Sequence, residues 1–140
     1  MIGMFNVYYL LEKGGAKSVG APVVRTSEKE GGRKGSGLFC ARCGHPITDK
    51  DQRMEVNGSH EHTFANPGGH VFRIGCFRDA PGCITARNES MEFTWFAGYS
   101  WSASGCSLCG IHIGWCFRLD DDVFFGLTLD SLVEKEASRT

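Results

Sequence analysis

This 140-residue sequence predicts an all-β domain pinned by one structural metal ion, and three observations carry that expectation. From Leu38 onward, short runs rich in Val, Ile, Phe and Thr alternate with Gly, Asn and Pro, the pattern of strands separated by turns. Four of the seven cysteines fall into two CxxC pairs, Cys40 with Cys43 and Cys106 with Cys109. Those pairs stand far apart along the strand-rich region, so one ion would staple its first turn to the last third of the chain.

Composition narrows the class further. The length suits one domain of ordinary size. Charged residues make up 22% of the chain and the net charge is −1, which gives no electrostatic reason to expect nucleic acid or an anionic membrane as partner. No apolar run approaches the roughly 20 residues of a membrane-spanning helix. The opening MIGMFNVYYLL lacks a basic n-region and a small-residue cleavage site, so no signal peptide is expected. Residues 13–37 are rich in Gly, Ser, Lys and Arg without an apolar period, and 1–37 reads as a disordered leader. The ordered domain is expected over 38–133, with a flexible tail over 134–140.

The clearest strand is His70 to Phe77, where Phe72, Ile74 and Cys76 alternate with Val71, Arg73 and Gly75 behind an Asn66-Pro67-Gly68-Gly69 turn. Further strand candidates are Gln52–Asn57, Glu92–Phe96, Tyr99–Ser104, Ile111–Phe117 and Val123–Leu129. Ser131 to Ala137 is the candidate for a short terminal helix.

An odd number of cysteines leaves one thiol unpaired if all the others form disulfides. Two residues between thiolates let both sulfurs approach one ion at about 2.3 Å. Each pair is followed by glycine, Gly44 and Gly110, which lets the chain turn through positive φ and aim amide N–H groups at sulfur. Four thiolates leave no open position, so the ion is expected to be a structural zinc in a reducing compartment, most simply the cytoplasm. Cys76 reads as a small core residue, and Cys83 is loop-borne. Cys116 lies between Trp115 and Phe117 and points to the opposite strand face. His60 and His62 share a strand face, either as a weak metal pair or bound to local backbone groups. His112 is expected to pack beside the second cysteine turn.

All three tryptophans, Trp95, Trp101 and Trp115, fall around the second cysteine pair. A glycine turn between Trp95 and Trp101 would bring those two rings face to face, with Trp115 as a third wall. The same spacing fits an ordinary aromatic core beneath a loop.

Here the residues resemble a known family. Cys40-x-x-Cys43-Gly44, His60-Glu61-His62-x-Phe64-x-Asn66-Pro67-x-Gly69-x-Val71-Phe72-Arg73 and Trp95-Phe96-x-Gly98-Tyr99-x-Trp101 are followed by Cys106-x-x-Cys109-Gly110-x-His112-x-Gly114-Trp115 and Phe124-Phe125-Gly126-Leu127. In this order they are similar to the CULT domain, the thalidomide-binding domain of cereblon, above all to its stand-alone bacterial relatives. The match runs over about residues 38–133.

The resemblance implies a β-tent, two antiparallel sheets meeting at the zinc. It also implies a cage for cyclic imides, glutarimide or succinimide, and for related pyrimidine-like rings, with Trp95, Trp101 and Trp115 as walls and Phe117 as floor. The Phe93 C=O and Trp95 N–H would face the imide edge, and Asn66 and Pro67 would form the rim. On this reading the chain is a monomeric, non-enzymatic binding module for free cyclic imides or for imide ends on damaged protein chains. Phe93 stands where cereblon has histidine, Ala97 replaces a proline, and the Lon-like region that docks cereblon to a ubiquitin-ligase adaptor has no counterpart here, so no adaptor is expected. The architecture is also similar to methionine sulfoxide reductase B, in which case Cys116 would be the nucleophile. A cation-binding cage is the remaining alternative, and Glu92 is the nearest carboxylate to the Trp95–Trp101 segment.

Overall fold

A computed structural model describes residues 37–135. The leader expected over 1–37 lies outside the described residues apart from Gly37, as does the tail from residue 136 onward. Nine strands are present among the described residues: β1 Gly37–Cys40, β2 Pro46–Asp49, β3 Glu61–Ala65, β4 Val71–Phe77, β5 Cys83–Thr85, β6 Ser100–Cys106, β7 His112–Leu119, β8 Asp122–Thr128 and β9 Leu132–Lys135. They form two antiparallel sheets, a small one in the order β2-β1-β9 and a six-stranded one in the order β3-β4-β8-β7-β6-β5.

The alternation over residues 70–77 becomes β4, whose inner residues Ile74 and Cys76 are buried in the main cluster. Strands β6, β7 and β8 likewise follow the runs that predict them. Two expected strands are absent. Over Gln52–Asn57 the chain instead makes a 3-10 turn at Lys50–Gln52, capped by the Asp49 carboxylate, and reverses through Asn57 at φ 53° and Gly58 at φ 87°. Val56 and Ser59 then close a tight backbone pair. Over Glu92–Phe96, Phe93 adopts φ 54°, a left-handed conformation that no extended strand accommodates. The terminal helix is also replaced: a 3-10 turn at Leu129–Ser131 leads into β9, and Glu134 and Lys135 of the expected tail pair with Leu38 and Gly37 of β1.

Two apolar clusters fill the fold. Leu38, Ile47, Phe77, Ile113 and Leu127 lie with Cys40 and Cys106 where the small sheet meets the large one. Phe96, Trp101, Trp115, Phe117 and Phe124 lie with Ile74 and Cys76 on the six-stranded sheet. Close approach of β7 to β8 requires Gly114: a Cβ there would sit 2.2 Å from the Gly126 carbonyl oxygen. Because that neighbour is backbone, the strands cannot yield cheaply. Gly114→Ala is therefore expected to lower the unfolding free energy by about 1–3 kcal/mol, measured by denaturant unfolding of the metal-loaded protein.

Candidate functional site

The two cysteine turns have matching local geometry. In the first, Gly44 N–H bonds to Cys40 C=O at 2.8 Å and Cys43 N–H points at Cys40 Sγ at 3.4 Å. In the second, Gly110 N–H bonds to Cys106 C=O at 2.9 Å, while the Leu108 and Cys109 amides point at Cys106 Sγ at 3.4 and 3.5 Å. Gly44 and Gly110 take φ of 83° and 82°, the left-handed turn that glycine makes without strain.

β1 ends at Cys40 and β6 ends at Cys106, so the two turns face each other from different sheets. All four sulfurs lie within 4.8 Å of one another. The Cys40–Cys109 and Cys43–Cys106 Sγ separations are 3.8 and 3.6 Å. Four thiolates arranged tetrahedrally at about 2.3 Å from one ion would stand about 3.8 Å apart, so these cysteines can hold one metal ion. Burial pushes the Cys106 thiol up to about 12, against the pull of the Cys109 and Leu108 amides. A dication among the sulfurs acts in the opposite sense and favours thiolate.

The ring cluster is assembled from six separate stretches of chain: β3, β4, the loop before β6, and β6, β7 and β8. Trp101 on β6 and Trp115 on β7 are buried, as is Phe117, which pairs with Trp101 across the ladder. Trp95 comes from the loop before β6 and is only half-buried. Its ring meets Trp115 edge-on at 4.7 Å, rather than Trp101 as the turn suggests, and stacks on Phe64 of β3 at 4.9 Å. Its indole N–H reaches the Ala65 C=O at 3.4 Å. The Trp101 indole N–H donates to the Glu92 C=O at 3.0 Å, which ties the loop to β6.

Sequence reasoning missed Phe72 as a wall. Its ring lies 5.2 Å from Trp115 and 5.8 Å from Trp95. The signal was available, because the β4 alternation places Phe72 on the face of Ile74 and Cys76. Phe72, Trp95 and Trp115 thus touch one another, and Trp115 has no exposed surface.

At the rim, Asn66 is buried and its side-chain oxygen accepts from the Gly68 and His70 amides, each at 2.9 Å. This closes the β3–β4 turn and leaves Pro67 exposed. Phe93 turns its ring outward, 51% exposed. Among the described residues, neither its C=O nor the Trp95 N–H takes a backbone hydrogen-bond partner.

The remaining candidates have local duties. His60 and His62 bond to the carbonyls of Met54, Val56 and Ser59. Cys116 is buried, and burial pushes its thiol up to about 11 although Arg118 lies beside it. Cys76 is a core residue held up at about 12 by burial alone.

These features define a metal-stapled antiparallel β domain with an aromatic cluster beside its second cysteine turn. No family model matches the chain, but cereblon proteins do. That of Gallus gallus is 28% identical over 109 residues, 73% of this chain and 24% of the relative. The Drosophila melanogaster protein is 34% identical over 109 residues, 72% of this chain and 19% of the relative. That of Drosophila virilis is 42% identical over 85 residues, 55% of this chain and 13% of the relative. The chain carries a cereblon-like CULT domain. It spans about a fifth of the length of the relatives it matches. No helix among the described residues is long and apolar enough to cross a membrane.

His112, packed edge-on to Trp115 at 4.8 Å, supplies a pH handle. Burial holds its imidazole down at about 4, against the Gly114 C=O that favours the proton. The folded state thus binds this proton less readily than the unfolded state, whose pKa is about 6.5. The stabilisation is complete above pH 6.5 and is lost as pH falls from there towards 4. Thermal unfolding across that window should show a steeper acid loss in wild type than in His112→Phe.

Proposed function

We propose that this chain is a non-enzymatic binding module for cyclic imides, its fold held by one zinc ion at Cys40, Cys43, Cys106 and Cys109. One observation carries the reading: the backbone acceptor of Phe93 and donor of Trp95 lack backbone partners, in the same loop that places Trp95 against Trp115. A cyclic imide presents an N–H beside carbonyls along one flat edge. Its N–H suits the Phe93 C=O, and one carbonyl suits the Trp95 N–H. Its CH₂ groups, polarised by the carbonyls, suit the negative faces of Trp95, Trp101 and Trp115, with Phe117 beneath and Asn66 and Pro67 at the rim.

Free glutarimide or succinimide, imide ends on protein chains and pyrimidine-like rings share this edge. A cation is less well matched, because no Asp or Glu is buried among the described residues to offset its charge. A cysteine redox mechanism also lacks support: Cys116 is buried and its thiol is held up at about 11, so it is scarcely ionised at neutral pH. We further propose that the domain binds its ligand as a monomer in a reducing compartment.

Glutarimide titrated into the zinc-loaded protein should change tryptophan emission saturably with micromolar affinity, roughly −8 kcal/mol. The response should weaken at least about tenfold in Trp95→Ala, a half-exposed position chosen so that folding survives, and vanish in Trp101→Ala. A flat wild-type titration, or an unaltered Trp95→Ala, would refute the cage.

Elemental analysis should find one zinc per chain. Removing it by chelation, or replacing one ligand in Cys106→Ser, should abolish both the cooperative unfolding transition and imide binding. Binding that outlasts complete zinc removal would separate the staple from the site.

A further inference from the structure

The three indole N–H groups of the cluster are not equivalent. That of Trp95 is directed to Ala65 C=O and that of Trp101 to Glu92 C=O. Among the described residues, the Trp115 Nε1–H is buried and has no hydrogen-bond partner, on a side chain with no exposed surface at all. A buried donor left unpaired is costly, and such groups in folded proteins mark a missing partner. Trp115 is also in edge-on contact with both Trp95 and Phe72, so it lies against the loop that carries the Phe93–Trp95 edge.

The proposed ligand has an unmatched group. An imide N–H is flanked by two carbonyls, and the backbone edge at Phe93–Trp95 offers one acceptor and one donor. The Phe93 side chain cannot supply the second donor, because it is apolar and directed outward. Resting on the imide reading, we infer that the Trp115 indole N–H is the donor to the second imide carbonyl and so makes the cage specific for imides over lactams. The completed edge is then donor, acceptor, donor, the complement of acceptor, donor, acceptor.

One other buried donor is unpaired, the Asn66 side-chain amide. Asn66 lies in the rim turn, where its oxygen is committed to Gly68 and His70. Trp115 touches the Trp95 ring itself and is the better placed of the two.

The test pairs two ligands with two isosteric changes in the zinc-loaded protein. Glutarimide carries both carbonyls, and 2-piperidinone is the same ring with one. Replacing Trp115 by 3-benzothienylalanine exchanges the N–H for sulfur and keeps the ring, while Asn66→Asp keeps the Oδ1 acceptor and removes the NH₂ donor. Wild type should bind 2-piperidinone about tenfold more weakly than glutarimide. With benzothienylalanine at 115, glutarimide should weaken by about that factor and the difference between the ligands should vanish, whereas Asn66→Asp should retain it. An undiminished difference in the position-115 variant overturns the inference while leaving imide binding intact. A difference lost only in Asn66→Asp overturns it in favour of the rim. Failure of wild type to bind glutarimide refutes the imide reading and this assignment with it.

Discussion

The two sheets share no strand, so the contact between the cysteine turns is the constraint on which the rest depends. One turn closes β1 onto β2 in the small sheet, and the other joins β6 to β7 in the large one. Four sulfurs within 4.8 Å of one another bring these hairpins together. Leu38, Ile47, Phe77, Ile113 and Leu127 bury the apolar surface beneath them. That buried cluster contributes in the usual way, through area removed from water, but it is not directional. The sulfur geometry is directional, because four sulfurs close enough to share one metal ion constrain how the two turns face each other.

The consequence reaches the aromatic cluster through the backbone. Cys106 ends the strand that carries Trp101, and the chain leaves Gly110 to enter the strand that carries Trp115 and Phe117. The relative position of Trp101, Trp115 and Phe117 is thereby tied to a metal-type turn a few residues away. The other rings are supplied differently. Trp95 sits in an irregular loop, and Phe64 and Phe72 pair beside the turn that closes the β3–β4 hairpin. Trp101, Trp115 and Phe117 are buried on β6 and β7, whereas Phe64, Phe72 and Trp95 are half-buried.

Much of this was readable along the chain. Alternation marks β4, and apolar and aromatic runs mark β7 and β8, because most of their residues are committed to the core. Asn66-Pro67-Gly68-Gly69 reads as a turn because Asn66 binds its own loop amides. The stretches that misled are those whose backbone is bent by single residues. Asn57 and Phe93 adopt left-handed conformations; the Asn57-Gly58 pair is itself a turn signal, whereas nothing in the residues around Phe93 announces its bend. β9 was hidden for another reason: its residues are mostly exposed, and pairing with β1 rather than an apolar face makes it a strand.

The sequence by itself determined the metal-type cysteine set, the central strands and the residue types of the aromatic cluster, since local spacing and short-range periodicity encode these. Only the tertiary structure decided which rings meet. It set Trp95 on Trp115 and Phe64 instead of on Trp101, placed Phe72 against Trp95 and Trp115, and left the Trp115 N–H without a hydrogen-bond partner among the described residues. Those outcomes follow from strand register and from the left-handed loop before β6, which bring together residues tens of positions apart. No local pattern records such meetings, because the free energy that selects them comes from packing the whole cluster at once.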